Sequence, residues 1–174
     1  MLKYPNSVII TIDDDVIYPT TFIEDCINAY NNSPSTINAG RVHKIKYNNN
    51  NKMLPYKRWD WESQETEASY DLFFTGVGGV VYPPGLFKDD LDLELIKDYI
   101  DVDDILLNYW CRKHNIMVKR IPMRGKYQNV NIIPFKSKLC IKNLMFNNDK
   151  CLNKIQFEKL LNECNYEKEN RRNI

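Results

Sequence analysis

The sequence lacks the features of a membrane-spanning, disulfide-bonded or zinc-binding chain. No run reaches the about 18 apolar residues of a transmembrane helix, because glycines and prolines interrupt the most apolar stretch, residues 72–87. The five cysteines form no Cys-x-x-Cys pair and their number is odd, which favours reduced thiols. No signal peptide is recognisable. We therefore expect a cytoplasmic protein without a transmembrane segment.

The sequence also has little net charge. Its 24 Lys and Arg residues nearly balance 23 Asp and Glu, giving +1, so no global field favours nucleic acid as a partner. Residues 60–104 are rich in acidic side chains and residues 112–142 in basic ones, and we expect most of both to be solvated. A length of 174 residues suits one domain, placed at residues 1–165 and followed by a polar tail at 166–174.

Three adjacent carboxylates, Asp13, Asp14 and Asp15, follow the apolar run 8–12. This β-branched run predicts a buried strand. Like charges at its end repel one another, and a divalent cation removes that penalty, because Mg²⁺ and Mn²⁺ favour oxygen ligands. If the strand continues through the triplet, Asp13 and Asp15 share one side and Asp14 points away. The alternative interpretation is a solvated turn.

A helix, a strand and a long loop are predicted next. Thr21 and Glu24 have the spacing of a capping box, which predicts a helix over residues 21–30. Residues 36–45 predict a strand, and residues 47–70 lack a clean period and predict a loop. The tryptophans of this loop, Trp59 and Trp61, suggest either a surface that stacks on a sugar ring or one buried anchor. The helix should face the core with Phe22, Ile23, Cys26, Ile27 and Tyr30.

Three of the six glycines, Gly76, Gly78 and Gly79, fall within four residues of an apolar segment. Glycines at this density in a strand indicate a bulge or a close approach by a ligand. The segment lacks the Gly-Lys-Ser/Thr of a phosphate-binding loop and the pattern of a dinucleotide fingerprint. Its own residues therefore predict a close approach without identifying the ligand.

A second acidic pair, Asp103 and Asp104, precedes an apolar pattern at helical spacing over residues 105–111. The helix dipole favours acidic side chains at a helix start, so N-capping is the simplest interpretation. Residues 116–121 predict a strand, and residues 151–164 predict a final amphipathic helix. Within the predicted helices, small core residues are expected at Cys26, Cys111 and Cys164.

The order of these segments resembles bacterial nucleotide-sugar glycosyltransferases of the GT-A fold, in the group that decorates lipopolysaccharide and capsule. The resemblance runs from about residue 4 to residue 162 and depends on three segments together. They read Ile-Thr-Ile-Asp-Asp-Asp-Val-Ile-Tyr-Pro at 10–19, Phe-Thr-Gly-Val-Gly-Gly-Val-Val-Tyr-Pro-Pro at 74–84 and Asp-Asp-Ile at 103–105. The resemblance implies an α/β fold with a mixed sheet flanked by helices. It also implies metal-dependent transfer of a sugar, with inversion, from a nucleotide-sugar donor to a glycan or lipid-linked acceptor in cell-surface polysaccharide synthesis.

The resemblance further implies roles for individual residues. Asp15, together with Asp13, would ligate a Mn²⁺ or Mg²⁺ ion that neutralises charge on the departing nucleoside diphosphate. Asp104 matches the general base that deprotonates the acceptor hydroxyl, and Asp103 would hold a supporting catalytic contact, or the two roles are exchanged. Donor-binding residues would be Asp13, Asp14, Gly76, Gly78 and Gly79.

The chain departs from the family pattern at its N-terminus. Such enzymes carry a nucleotide-binding half before the acidic strand, and this sequence begins shortly before Asp13. We therefore expect an N-terminally truncated domain that binds the nucleoside poorly unless another chain supplies that half. The sequence also lacks the Gln-x-x-Arg-Trp motif of processive synthases. Arg124 and Lys126 could approach the diphosphate, and a lipid-linked acceptor would place the protein peripherally at the inner membrane face.

Two other interpretations stay open. A hydrophobic strand that ends in Asp-x-Asp also describes the nucleophile strand of haloacid-dehalogenase-like phosphatases, in which Asp13 would carry the phosphoryl group. The glycine-rich segment has no role in that family, and its late acidic pair usually follows a strand. The other interpretation is a catalytically inactive glycosyltransferase remnant, which would gain no thermal stability from Mn²⁺ and a nucleoside diphosphate.

Overall fold

The computed structural model describes residues 4–86, 103–126, 128–129, 148–153, 157–160 and 162. Two α-helices have defined bounds, α1 at Phe22–Asn32 and α2 at Asp103–Lys113, and a 3₁₀ turn spans Tyr56–Arg58. Residues 148–153 and 157–160 are also helical. The strands are β1 Ile9–Thr11, β2 Val16–Ile17, β3 Ile37–Ala39, β4 Val42–Lys44, β5 Leu72–Phe74, β6 Val80–Tyr82, β7 Val118–Arg120 and β8 Gln128–Asn129.

The central sheet is mixed and has four strands in the order β1-β6-β3-β7. Strand β6 runs antiparallel to both β1 and β3, whereas β3 and β7 are parallel. Two further antiparallel pairs, β4 with β5 and β2 with β8, lie outside this sheet. The predicted α/β class with a mixed sheet is confirmed, and the finer assignment to the GT-A fold stays a prediction.

Helices cover both faces of the central sheet. Val81 of β6 packs with Phe22 and Cys26 of α1. The neighbouring residues of β6, Val80 and Tyr82, belong to the core on the opposite face, which includes Cys111 of α2. This division follows from the alternation of side chains along a strand. The predicted burial of Cys26 and Cys111 is confirmed, while Cys164 and the polar tail lie outside the described residues.

Strand β1 differs from its prediction as a buried strand. It lies at the edge of the central sheet, and its three side chains are only half-buried. It also ends at Thr11, and Ile12 beyond it is exposed. A β-branched run predicts a strand well, but its position within a sheet depends on long-range pairing that the run does not encode.

Helix α1 forms as predicted, and Phe22, Cys26 and Tyr30 pack in the core, but the other two residues expected there do not. Ile23 and Ile27 are 52% and 48% exposed, whereas Asp25 is buried. The Asp25 carboxylate accepts hydrogen bonds from the Arg124 backbone N–H and from its Nε, at 3.1 and 2.5 Å. This ion pair favours burial of the side of α1 that carries Asp25, because a buried carboxylate must be paired.

The start of α1 also differs from the predicted capping box. Thr21 makes no side-chain cap; its Oγ1 donates instead to Asp25 Oδ2 at 3.1 Å. The Glu24 carboxylate forms an ion pair with the same arginine, at 2.7 Å from Arg124 Nη2. Both acidic residues of the first turn therefore engage Arg124, which is consequently bound to α1. The expectation that Arg124 approaches a diphosphate stays a prediction.

The predicted strand over residues 36–45 is broken into β3 and β4, which belong to different sheets. The break lies at Gly40, where a Cβ would overlap the carbonyl oxygen of Gly78. Gly40 also donates its N–H to the Gly79 carbonyl at 2.9 Å. The glycine-rich segment therefore packs so closely against Gly40 that this position does not tolerate a side chain.

The long loop over residues 47–70 contains only the short 3₁₀ turn and isolated bridges, as the missing period predicts. Trp59 is buried against Tyr56 and Phe73, and its Nε1 donates to the Leu54 carbonyl at 2.8 Å. Trp59 is therefore the anchor of the loop. Trp61 remains exposed.

Candidate active site

Three segments that are distant in sequence meet at Gly76. Its backbone N–H donates to Asp104 Oδ1 at 2.8 Å. A Cβ built on Gly76 would lie 3.6 Å from Asp104 Oδ1 and 3.9 Å from Asp13 Oδ1. The acidic turn after β1, the glycine-rich segment between β5 and β6, and the start of α2 therefore face one another. This juxtaposition brings together one carboxylate from each predicted acidic cluster.

The Asp104 carboxyl lies in an environment that favours its protonated form. Burial raises its pKa to about 7, and the charges of Asp103 and Asp13 act in the same direction. The Gly76 N–H and the charge of Arg41 oppose this effect without cancelling it. A carboxylate with a pKa near neutrality is suited to accept a proton in a reaction at physiological pH.

Asp103 lies beside Asp104 in the first turn of α2 and is exposed. Its Oδ1 accepts the backbone N–H of Asp104 at 3.0 Å. The helix-start interpretation of this acidic pair therefore describes Asp103. Asp104 instead turns its carboxylate toward Gly76, so the two neighbours have different surroundings.

Asp13 is half-buried, whereas Asp14 and Asp15 are exposed in the turn between β1 and β2. The Asp13 backbone N–H donates to the Tyr18 hydroxyl at 3.1 Å, and its Oδ2 atom is buried. Because β1 ends before the triplet, the alternation rule for strands does not set the relative directions of Asp13 and Asp15. The metal-binding role of this pair stays a prediction.

The three clustered glycines have different reasons for being glycine. Gly78 and Gly79 have φ angles of 92° and 83°, in the region that disfavours side chains. A Cβ on Gly79 would also overlap the Phe22 ring. Gly76 has no positive φ, and a Cβ there would make ordinary contacts with two carboxylates. The backbone therefore requires Gly78 and Gly79, while at Gly76 the missing side chain leaves space between Asp13 and Asp104.

A buried polar network that the sequence analysis missed holds α2 in place. Asn108 is fully buried; its Nδ2 donates to the carbonyls of Phe74 and Asp104 at 2.7 and 2.8 Å. Its Oδ1 accepts the Phe74 N–H at 3.2 Å and Arg112 Nη1 at 2.8 Å. Asn108 thus pairs the backbone N–H and carbonyl of Phe74, at the end of β5, as a neighbouring strand would. Because it also bonds the Asp104 carbonyl, it places Asp104 beside Gly76.

Arg112 is an exception to the expectation that most basic residues of the segment 112–142 are solvated. Its side chain is almost fully buried, and Nη2 donates to the carbonyls of Tyr70 and Leu72. The guanidinium also lies 5.6 Å from the centre of the Phe157 ring. Asp104, Asn108 and Arg112 recur every four residues, so they share one face of α2. Polar residues at every fourth position of an otherwise apolar helix were the sequence signal from which this buried network could have been predicted.

Comparison with known proteins leaves the family undecided. Neither the profiles of known protein families nor the curated proteins gave a match to this chain. Within the described ranges, no three or more His, Cys, Asp or Glu side chains form a metal-binding group. No helix in that part of the chain is long and apolar enough to cross a bilayer. The glycosyltransferase family and the roles that it implies therefore remain predictions.

Proposed function

We propose that this protein transfers a sugar from a nucleotide-sugar donor to a glycan or lipid-linked acceptor, with Asp104 as the general base. The Asp104 carboxylate takes the proton of an acceptor hydroxyl while that oxygen attacks the anomeric carbon of the donor. The bond from this carbon to the diphosphate breaks, and the nucleoside diphosphate leaves. A single displacement of this kind inverts the anomeric centre.

The observation that carries the proposal is the meeting of the acidic turn, the glycine-rich segment and the Asp104 carboxylate at Gly76. Burial also raises the pKa of Asp104 to about 7, which favours a base near neutral pH. The space left by the missing side chain of Gly76 lies within 4 Å of an oxygen of this base and of an oxygen of Asp13. A reacting group in that space would be close to both carboxylates.

A divalent cation fits the chemistry of the other carboxylates. Asp13 and Asp15 offer the oxygen ligands that Mg²⁺ and Mn²⁺ prefer. Mg²⁺ usually takes only one or two protein carboxylates when substrate phosphates complete its coordination, so a larger protein cluster is not needed. Bound there, the ion would neutralise the charge on the leaving diphosphate.

The phosphatase alternative receives less support from the same geometry. The space beside Asp13 is bounded by Gly76, from the glycine-rich segment that has no role in a phosphatase, and by Asp104 of α2. Trapping an aspartyl-phosphate on Asp13 would nevertheless overturn the glycosyltransferase proposal.

Thermal unfolding and a transfer assay test the proposal together. Mn²⁺ with a panel of nucleoside diphosphates should raise the melting temperature, since a ligand at a hundred times its Kd adds about 2.7 kcal/mol of stability. Asp15→Asn should abolish this increase. Asp104→Asn should keep it and lower the release of nucleoside diphosphate from the matching donor by about 10²- to 10⁴-fold. A flat melting temperature across the panel, or full turnover in Asp104→Asn, would contradict the proposal.

A further inference from the structure

Trp61 presents an exposed aromatic surface near the candidate site. Of the three tryptophans, Trp59 and Trp110 are buried, whereas Trp61 is 39% exposed. Its ring centre lies 4.9 Å from that of His43 and 5.5 Å from that of Tyr56. We call these three rings the Trp61 platform. His43 and Tyr56 are themselves buried, so the platform joins an exposed indole to the core.

The backbone around Trp61 is held in one conformation. Glu62 has a φ of 52°, in the left-handed region, and its N–H donates to His43 Nδ1 at 3.1 Å. Ser63 donates its N–H to the Val42 carbonyl at 2.9 Å. Burial, followed by the charge of Arg41, lowers the pKa of His43 to about 4, so the ring is neutral and Nδ1 can accept. A backbone held in this way loses little conformational entropy when a ligand binds.

The platform and the proposed base are connected through the β4–β5 pair. His43 stands opposite Phe73, and the Thr75 N–H donates to the Arg41 carbonyl at 3.3 Å. The next residue, Gly76, binds Asp104. Arg41, two residues before His43, is therefore hydrogen-bonded to Thr75, and the next residue after Thr75 is hydrogen-bonded to the proposed base. The charge of Asp104 also reaches Tyr56, where it adds to burial in raising the phenol pKa.

We propose that the Trp61 platform binds a pyranose ring of the acceptor, a role that rests on the proposed sugar transfer at Asp104. One face of a pyranose carries C–H groups that pack on the negative face of an indole, while its hydroxyls require polar neighbours. Both requirements are met, since Arg41 and Glu62 form an ion pair of 3.3 Å beside Trp61. An acyl chain would have to desolvate these charges, which is unfavourable. The proposed ligand of the Trp61 platform is therefore a sugar ring of a glycan acceptor.

Quenching of tryptophan fluorescence tests the platform without any donor or turnover. Acrylamide should quench chiefly Trp61, and the loss of that component in Trp61→Phe identifies it. Lactose, cellobiose and diacetylchitobiose are the probes, and glycerol is the control polyol without a ring. At least one disaccharide should protect Trp61 from acrylamide, and glycerol at equal hydroxyl concentration should not. Absence of protection by all three disaccharides would overturn the proposal.

Saturation-transfer NMR with the protecting disaccharide then tests the variants. Trp61→Ala should weaken binding about tenfold, equivalent to about 1.4 kcal/mol, and Trp61→Phe should retain most of it. Tyr4→Ala removes another exposed aromatic ring and should leave binding unchanged. Equal binding by wild type and Trp61→Ala would contradict the platform.

The two proposals fail in different ways. If the disaccharide binds through Trp61 but no donor supports transfer, the platform stands and the proposed reaction is wrong. If transfer occurs and depends on Asp104 but Trp61→Ala leaves the KM for the acceptor unchanged, the reaction stands and the platform is wrong.

Discussion

Replacing Asp104 by asparagine should stabilise the protein, and only at pH values where the carboxyl of the unfolded chain is ionised. The structure raises its pKa from 3.8 to about 7, so ionisation opposes folding. A tenfold change in an ionisation equilibrium corresponds to about 1.4 kcal/mol, and the full effect would be about 4 kcal/mol. Because solvent still reaches part of the side chain, we expect Asp104→Asn to add about 2–4 kcal/mol to the free energy of unfolding.

The sign of the pH dependence follows from proton binding. Between pH 3.8 and about 7 the folded state keeps the proton that the unfolded chain releases, so the wild type loses stability as the pH rises. The asparagine variant has no such proton, and its Oδ1 can still accept the Gly76 N–H. Its advantage should therefore be small at pH 4, grow through pH 7 and stay constant above.

Urea unfolding of wild type and variant at each pH from 4 to 8 measures this difference, with the m-value checked for constancy. Asp14→Asn is the matched control, because it removes an exposed carboxylate from the neighbouring acidic turn and should change the stability by no more than about 0.5 kcal/mol. A stability difference for Asp104→Asn that does not vary with pH, or a loss of stability at pH 8, would refute the assignment of Asp104 as a base near neutrality.

Three further predictions concern the surroundings of Asp104. Gly79→Ala should lower the free energy of unfolding in urea by more than about 1 kcal/mol, because Gly79 has a positive φ and a Cβ there would overlap the Phe22 ring. Gly76→Ala should change this free energy by less than about 1 kcal/mol, but it should weaken the increase in melting temperature caused by Mn²⁺ and nucleoside diphosphate. An equal loss of stability in both variants would contradict this distinction. Asn108→Ala should lower the free energy of unfolding by about 2–4 kcal/mol in the same assay, since it leaves the buried backbone groups of Phe74 without their partner. An unchanged stability would show that Asn108 does not hold α2 to β5. His43→Gln should reduce the loss of stability that occurs as the pH falls from 6.5 toward about 4, because in this range the unfolded chain binds a proton at His43 and the folded protein does not. If wild type and variant lose the same stability over this pH range, the prediction is wrong.

Local patterns were sufficient for several elements of the fold. The apolar run before Asp13, the period of α2 and the missing period of residues 47–70 each predicted the element that forms. The faces of those elements were harder to predict. Ile23 and Ile27 were expected in the core, yet they are exposed, because the Asp25–Arg124 pair selects the buried face of α1. A pairing between residues so distant along the chain leaves no periodic signal around either residue.

The candidate site divides in the same way. The sequence by itself determined which carboxylates and glycines are available, since residue types and their spacing are local properties. Only the tertiary structure decided that Asp104 faces Gly76 and Asp13 and that Asp103 does not. The raised pKa of Asp104 depends on burial and on neighbouring charges, and Asn108 fixes both by clamping α2 to β5. Burial and charge proximity are properties of packing, so they arise only when distant segments of the chain are brought together.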